Sequence, residues 1–239
     1  LSVSSLTDVT VQPIAGIKCE GDDAIFTIAA VGNNLNYRWQ KNLVNMSDGG
    51  NITGTATAIL SISNVTVADS GVYNCVVTGS CGNDLSNTAK LTVNKITVIT
   101  AQPTSLIRCE GTSVTFNISA VGGNLTYQWK KNGVNLANGN NISGVTTNEL
   151  SIANMLTSNQ GAYSCLVSGA CGSENSVVAT LTVNSQTVIS LHPQDEVRCA
   201  GENTYFTVIA SGTNISYAWQ KDEIPLSDGG NISGSDKDI

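Results

Sequence analysis

An all-β fold of sandwich units joined end to end is what this sequence predicts, on three observations. Landmark residues recur at one fixed interval: Cys19, Cys109 and Cys199 lie 90 residues apart, and so do Trp39, Trp129 and Trp219. Leu35, Tyr37 and Trp39 alternate with Asn36, Arg38 and Gln40, the period-two pattern of a half-buried strand. The stretch DSGVYNC at 69–75, echoed by NQGAYSC at 159–165, places Tyr73 with Cys75, and Tyr163 with Cys165, on one face of a strand entered through a turn. That face is read as the core.

The period sets the domain frame. Tyr37, Tyr127 and Tyr217 keep it, as do Gly54, Gly144 and Gly234, with no insertion or deletion. Residues 1–4 fall in register with Leu91-Thr92-Val93 and read as the end of a preceding unit. Residues 5–94 and 95–184 are two full units, and 185–239 is a partial third that stops before its counterpart of LSISNV. Half a sandwich cannot bury its own face. The expectation is a window cut from a longer array; the alternative is a third unit completed by strands of another chain.

Within the first unit, Val9 to Gln12 reads as an edge strand ended by Pro13. Cys19-Glu20-Gly21 is a turn, and Ala24 to Ala29 is a strand with Phe26 and Ile28 inward. The Leu35–Trp39 strand follows a loop at Gly32-Asn33-Asn34, and a turn begins at Lys41-Asn42. SDGGNITG at 47–54 reads as a loop rich in residues that tolerate positive φ. Ile59 to Val65 is a strand with Leu60 and Ile62 on one face. Ala68 to Gly71 is a corner, Val72 to Thr78 a strand, Cys81 to Asp84 a hairpin turn, and Ala89 to Val93 the last strand. Asn94-Lys95 and Asn184-Ser185 are linkers of two residues before the next strand near Ile96 and its counterpart. Linkers this short, without Gly or Pro, predict a semi-rigid rod.

Charge narrows the functional classes. Net charge is −7 with 11 Lys and Arg in 239 residues, which argues against nucleic-acid binding and against docking on anionic lipid. No run of 18 apolar residues predicts membrane insertion in this segment, and no signal peptide stands at Leu1.

DSGVYNC, Trp39, the LSI strand at 60–62 and the closing LTV at 91–93 together resemble immunoglobulin-like domains. Within that superfamily, CEG, YRWQKN, DSGVYNCVVTGSCG and LTV look most like tandem modules of large secreted or surface-anchored proteins of Bacteroidetes-type bacteria. The resemblance implies a Greek-key sandwich and a Trp buried between its sheets at 39, 129 and 219. It implies Tyr73 and Tyr163 hydroxyls bonded to nearby backbone, and an extracellular or cell-surface setting.

The cysteines depart from the antibody-type pattern. Ile28, Ile118 and Val208 stand where the first core cysteine belongs. Cys19 precedes that strand, roughly 20 Å from Cys75 at about 3.3 Å per residue. A disulfide needs Cα atoms within about 7 Å. In a head-to-tail array the turn at Cys19 of one unit faces the hairpin turn of the next, which brings Cys19 towards Cys171. Cys109 and Cys81 would then face units outside the sequence. Cys19–Cys75, Cys75–Cys81 and free thiols remain open, and Cys165 and Cys199 follow their counterparts.

No catalytic set, cofactor site or metal site is expected. The first two units lack His altogether, and His192 aligns with Gln12 and Gln102. Asp48 and Asp228 are candidate Ca²⁺ ligands, but Asn138 replaces the acid in the second unit, so a turn is the favoured reading. Eight Asn-x-Ser/Thr triplets occur, at Asn45, Asn51, Asn64, Asn117, Asn124, Asn141, Asn214 and Asn231. Asn51, Asn141 and Asn231 share one repeat position and are the candidate glycosylation sites.

These residues predict a structural stalk or filament segment of a long cell-surface adhesin. The alternatives are modules that bind glycan or protein through their loops, and accessory spacers of a secreted enzyme. Expected partners are a protein or surface glycan at the array's tip or along a filament, together with self-association.

Overall fold

The computed structural model describes residues 5–238. The end of a preceding unit expected at 1–4 lies outside them. The first domain has eleven strands. They are β1 (Asp8–Val11), β2 (Gly16–Cys19), β3 (Ala24–Thr27), β4 (Ala29–Val31), β5 (Asn36–Lys41), β6 (Val44–Asn45), β7 (Ile52–Thr53), β8 (Ile59–Ile62), β9 (Gly71–Gly79), β10 (Gly82–Leu85) and β11 (Ala89–Asn94). One sheet runs β2-β11-β9-β5-β6 with β10 on β9; a second runs β3-β8-β7; β1 pairs β4. β2 is parallel to β11, and the other pairings are antiparallel.

Alternation built these sheets. Ala24, Phe26 and Ile28 are buried while Ile25 and Thr27 face out. Leu60, Ile62 and Val65 come from the next strand and its exit, and Tyr73, Cys75 and Val77 from β9. The Phe26 ring stacks on Tyr73 at 4.8 Å between centroids and lies 6.1 Å from Trp39. The fully buried Trp39 still satisfies its indole N–H, which donates to the Thr57 carbonyl at 2.9 Å. A 3₁₀ turn at Val67–Asp69 leads into β9, and the Tyr73 hydroxyl donates to the Asp69 carbonyl at 2.6 Å.

Three details of the sequence reading change. The strand expected over 24–29 breaks at Ile28, whose N–H leaves the ladder for the Ala58 carbonyl; Ala29–Val31 then pairs with β1. The 47–54 loop contains β7, because Ile52 and Thr53 reach β8. The hairpin turn is Ser80-Cys81, with Gly82 to Asp84 already in β10.

The second domain repeats the plan. Its large sheet joins Leu106–Cys109, Ala179–Asn184, Gly161–Gly169, Thr126–Lys131 and Val134–Asn135, with Gly172–Asn175 on the third of these. Val114–Asn117, Glu149–Ile152 and Ile142–Ser143 make the small sheet. Its first strand is Val98–Ala101, two residues later than expected. By contacts, residues up to Gln102 form one compact unit with Ile118–Tyr127 and Cys165–Ser176. Pro103–Asn117, Gln128–Ser164 and the residues from Val177 on form another.

The third domain shows which strands need distant partners. Val188–Leu191 pairs Ile209–Ser211, and Gln220–Lys221 pairs Ile224–Pro225, all close in sequence. The counterparts of β2, β3 and most of β5 carry no ladder. In the first domain those strands pair with β11, β8 and β9, and no counterpart of these three is among the described residues of the third. Trp219, expected in a core, is therefore only half-buried, and Tyr205 and Phe206 are exposed. The Trp219 indole N–H nonetheless donates to the Lys237 carbonyl at 2.8 Å, and its ring lies 6.4 Å from Phe206.

Candidate functional site

The chemistry of this chain is concentrated in its cysteines and in the turns that hold them. Cys19 ends β2, where the parallel register sets it opposite Asn94. The turn beyond it is tight: Glu20 N–H donates to the Asn94 carbonyl at 2.9 Å, and Gly21 N–H to the Val65 carbonyl at 2.9 Å. The Asp22 carboxylate accepts the Cys19 N–H at 2.8 Å, and Asp22 N–H returns to the Cys19 carbonyl at 3.0 Å. Cys171 sits in the two-residue turn between Gly161–Gly169 and Gly172–Asn175. Ala170 N–H donates to the Gly123 carbonyl at 2.7 Å, which fixes that turn on the loop before Thr126–Lys131.

The structure bonds these two residues. Cys19 and Cys171 form a disulfide with Cα atoms 5.6 Å apart across a sequence separation of 152. Thr97 N–H donates to the Cys171 carbonyl at 3.1 Å beside it. Gly123 closes on the same place: a Cβ there would stand 2.6 Å from Asn94 Oδ1. Asn94 thus holds the Glu20 amide through its carbonyl while its side chain lies against Gly123.

The other cysteines are placed differently. Cys75 is buried with a free thiol, its N–H donating to Ser86 Oγ at 2.8 Å, and burial pushes the thiol up to about 11. Cys165 is buried at the equivalent place, with its N–H on Ser176 Oγ at 2.9 Å. Cys81 is half-buried in the first hairpin turn. Cys109 and Cys199 are exposed thiols at the second and third copies of the Cys19 turn.

The remaining candidates take structural roles. Asp48 accepts both the Thr55 hydroxyl at 2.7 Å and the Thr55 N–H at 2.8 Å, which hold its carboxyl below the usual range. Asp228 does the same with Ser235 N–H at 2.8 Å, and Asn138 with Val145 N–H at 3.1 Å. This explains why an amide serves as well as an acid there: the position closes a loop by accepting an N–H. Among the described residues no group of three His, Cys, Asp or Glu is placed to hold a metal ion. Asn51 Nδ2 donates to the Ser63 carbonyl at 2.9 Å, and Asn141 Nδ2 to Asn159 Oδ1 at 2.9 Å. The nitrogen that would carry a glycan is already hydrogen-bonded in both, from a turn to the residue after β8 in the first domain and to the 3₁₀ turn in the second, whereas Asn231 is exposed.

Sequence reasoning passed over Asn94, Thr97 and Gly123, since nothing in their types marks a contact made across the joint. Asn94 aligns with Asn184, and that repetition was the available signal.

Comparison with known proteins agrees with this geometry. Residues 8–93 match the immunoglobulin I-set domain model, and residues 97–168 match a second immunoglobulin domain model. The chain is built of tandem immunoglobulin-like domains. Human Roundabout homolog 2 is 28% identical over 77% of the chain, and mouse Leucine-rich repeats and immunoglobulin-like domains protein 3 is 28% identical over 91%. The chain spans only 13% and 21% of those two proteins. Among solved structures, the I67-I69 fragment of titin superposes with a TM-score of 0.78 at 20% identity, over 96% of this chain and 83% of that one. The Dscam1 N-terminal four Ig domains give 0.59 at 20% identity, over 76% and 46%. At such identities the likeness speaks for the fold. The two sequence relatives are animal proteins, so the bacterial-type modules rest on the sequence motifs alone.

Proposed function

We propose that this chain is a load-bearing spacer of tandem Ig-like modules in an extracellular, cell-surface protein. The observation that carries the reading is the Cys19–Cys171 bond. A pull applied at the two ends of the chain passes from Cys19 to Cys171 through the disulfide, so the residues between them are shielded from extension. Over a separation of 152 residues that withholds roughly 500 Å of contour at about 3.3–3.6 Å per residue. A disulfide of this kind also fits an oxidising compartment. Attachment of a protein or glycan partner, assembly into a filament, and the bacterial-type surface array all belong to this same proposal and rest on the repeat motifs.

Single-molecule stretching of the chain tests it. The oxidised chain should release only the contour outside 19–171, and reduction or Cys171→Ser should restore the withheld length. Equal extension before and after reduction overturns the proposal. The second reading, a ligand-binding module, would require saturable binding of a glycan or protein that is unchanged in Cys171→Ser.

A further inference from the structure

Asn124 stands in the loop before Thr126–Lys131 and opens the triplet Asn124-Leu125-Thr126. Both Asn124 and Thr126 are exposed, and among the described residues no hydrogen bond engages the Asn124 amide nitrogen. Only two positions of the repeat carry an Asn-x-Ser/Thr triplet more than once: 51, 141 and 231 form one set, 124 and 214 the other. In the first set Asn51 and Asn141 commit the amide nitrogen to the Ser63 carbonyl and to Asn159 Oδ1. In the second set the domains differ. Asn34, the first-domain counterpart of Asn124, donates from Nδ2 to Ser80 Oγ at 2.9 Å and so fastens the hairpin turn to its loop; Asn36 stands where a triplet needs a hydroxyl. In the second domain Ala170 replaces Ser80, which removes the side-chain tie, and Thr126 replaces Asn36. The turn is still held by its backbone, through Ala170 N–H on the Gly123 carbonyl at 2.7 Å. The two replacements act together: one frees the amide, and the other completes the triplet. Backbone shape does not explain the difference, because Asn34, Asn124 and Asn214 share φ values of +57°, +52° and +56°, the left-handed region that Asn tolerates.

We infer that Asn124 is the acceptor of an N-linked oligosaccharide, with Thr126 as the hydroxyl residue of its triplet. The donor is an oligosaccharide carried on a lipid pyrophosphate, used by a membrane-bound transferase. The bond from Asn124 Nδ2 to the anomeric carbon forms, and the bond from that carbon to the pyrophosphate oxygen breaks. The amide gives up one proton as the lipid pyrophosphate leaves, and nothing is oxidised or reduced. The sugar leaves an exposed turn, so it disturbs neither a strand ladder nor the core. It stands one residue from the carbonyl that seats the Cys171 turn, and its bulk keeps protein partners off that rim. The inference rests on the extracellular setting proposed above and not on load bearing.

The whole chain, secreted from an animal cell behind an added signal peptide, gives the first test. Its sugars are released by a glycan amidase in heavy-oxygen water, which converts each occupied Asn to labelled Asp for mass mapping. Asn124 should be occupied; Thr126→Val should empty it and Thr126→Ser should keep it. The second test uses the folded, oxidised chain made without sugar, given to a transferase that accepts folded protein together with its lipid-linked donor. Asn124 should react at least about tenfold faster than Asn51 and Asn141, whose nitrogens are hydrogen-bonded, and unfolding should erase the difference. A bare Asn124 in the secreted chain, or equal rates at the three residues in the folded one, overturns the inference. A reduced Cys19–Cys171 pair in the secreted chain counts against the extracellular setting instead, whatever the occupancy of Asn124, so the two failures are told apart.

Discussion

Cys171 is bonded to Cys19, 152 residues before it, and the Thr97 N–H closes on the Cys171 carbonyl at 3.1 Å beside the bond. Loss of this cross-link frees a long loop in the unfolded chain. Cys171→Ser should lower stability by about 2–5 kcal/mol, with part of that offset if the unfolded chain retains structure. Denaturant midpoints of oxidised wild type and variant measure it. Equal midpoints would show that the bridge contributes nothing to stability.

Thiol reactivity should separate the cysteines. Cys109 and Cys199 are exposed and should react at once with an alkylating reagent. Cys75 is buried with its thiol pushed up to about 11 and should react only on unfolding. Mass mapping of native and denatured samples reads this directly; rapid native labelling of Cys75 would contradict the packed core.

Removing one hydroxyl tests the corner of each intact domain. Tyr73→Phe takes away the bond to the Asp69 carbonyl and Tyr163→Phe the bond to the Asn159 carbonyl, each 2.6 Å long. Each change leaves a carbonyl short of a partner and should cost about 1–2 kcal/mol. Urea melts of the two variants give the answer, and a neutral result would reduce both bonds to bystanders.

High pH should unfold the chain in a defined window. Burial raises Tyr73 from 10.0 to about 12, helped by the Asp69 charge, and raises Tyr163 to about 12. Burial raises Cys75 from 9.0 to about 11. These groups hold their protons longer folded than unfolded, so the unfolded state deprotonates first. Stability is therefore full below about pH 9 and falls through pH 12, by on the order of 2 kcal/mol for each tyrosine. Melting temperature against pH, followed with tyrosinate absorbance, checks the window; a flat profile to pH 11 would oppose it.

Gly54 should tolerate no side chain. Its φ is +79° and a Cβ there would meet the Ile59 carbonyl oxygen at 2.1 Å; Gly144 meets the Glu149 carbonyl oxygen at 2.0 Å. Gly54→Ala should cost more than about 1 kcal/mol, against a control at Gly16, where nothing stands within 4 Å of an added Cβ. Similar melts for the two variants would disprove the close approach.

Much of the fold was legible because burial writes a local signature. Leu60 and Ile62 alternate with Ser61, and Phe26 and Ile28 with Thr27, so each strand names its inward face by itself. Trp39 and Tyr73 recur at the repeat interval as Trp129 and Tyr163 and mark the same packing twice. Pairing was less legible. The strand break at Ile28 depends on the Ala58 carbonyl, and the sheet of Ala29–Val31 depends on β1, neither of which is visible in the residues that break. Asn51 looked like a sugar acceptor because its triplet is local, while the Ser63 carbonyl that takes its amide is twelve residues away.

By itself, then, the sequence determined the repeat, the strands and the inward faces, since these follow from period and hydrophobicity along one segment. Only tertiary structure decided the rest. Three copies of the Cys19 turn exist, yet one is cross-linked, because a disulfide needs two sulfurs brought together by separate strands. Trp39 is fully buried because β9, far along the chain, pairs with its strand, a contact that no residue near Trp39 announces.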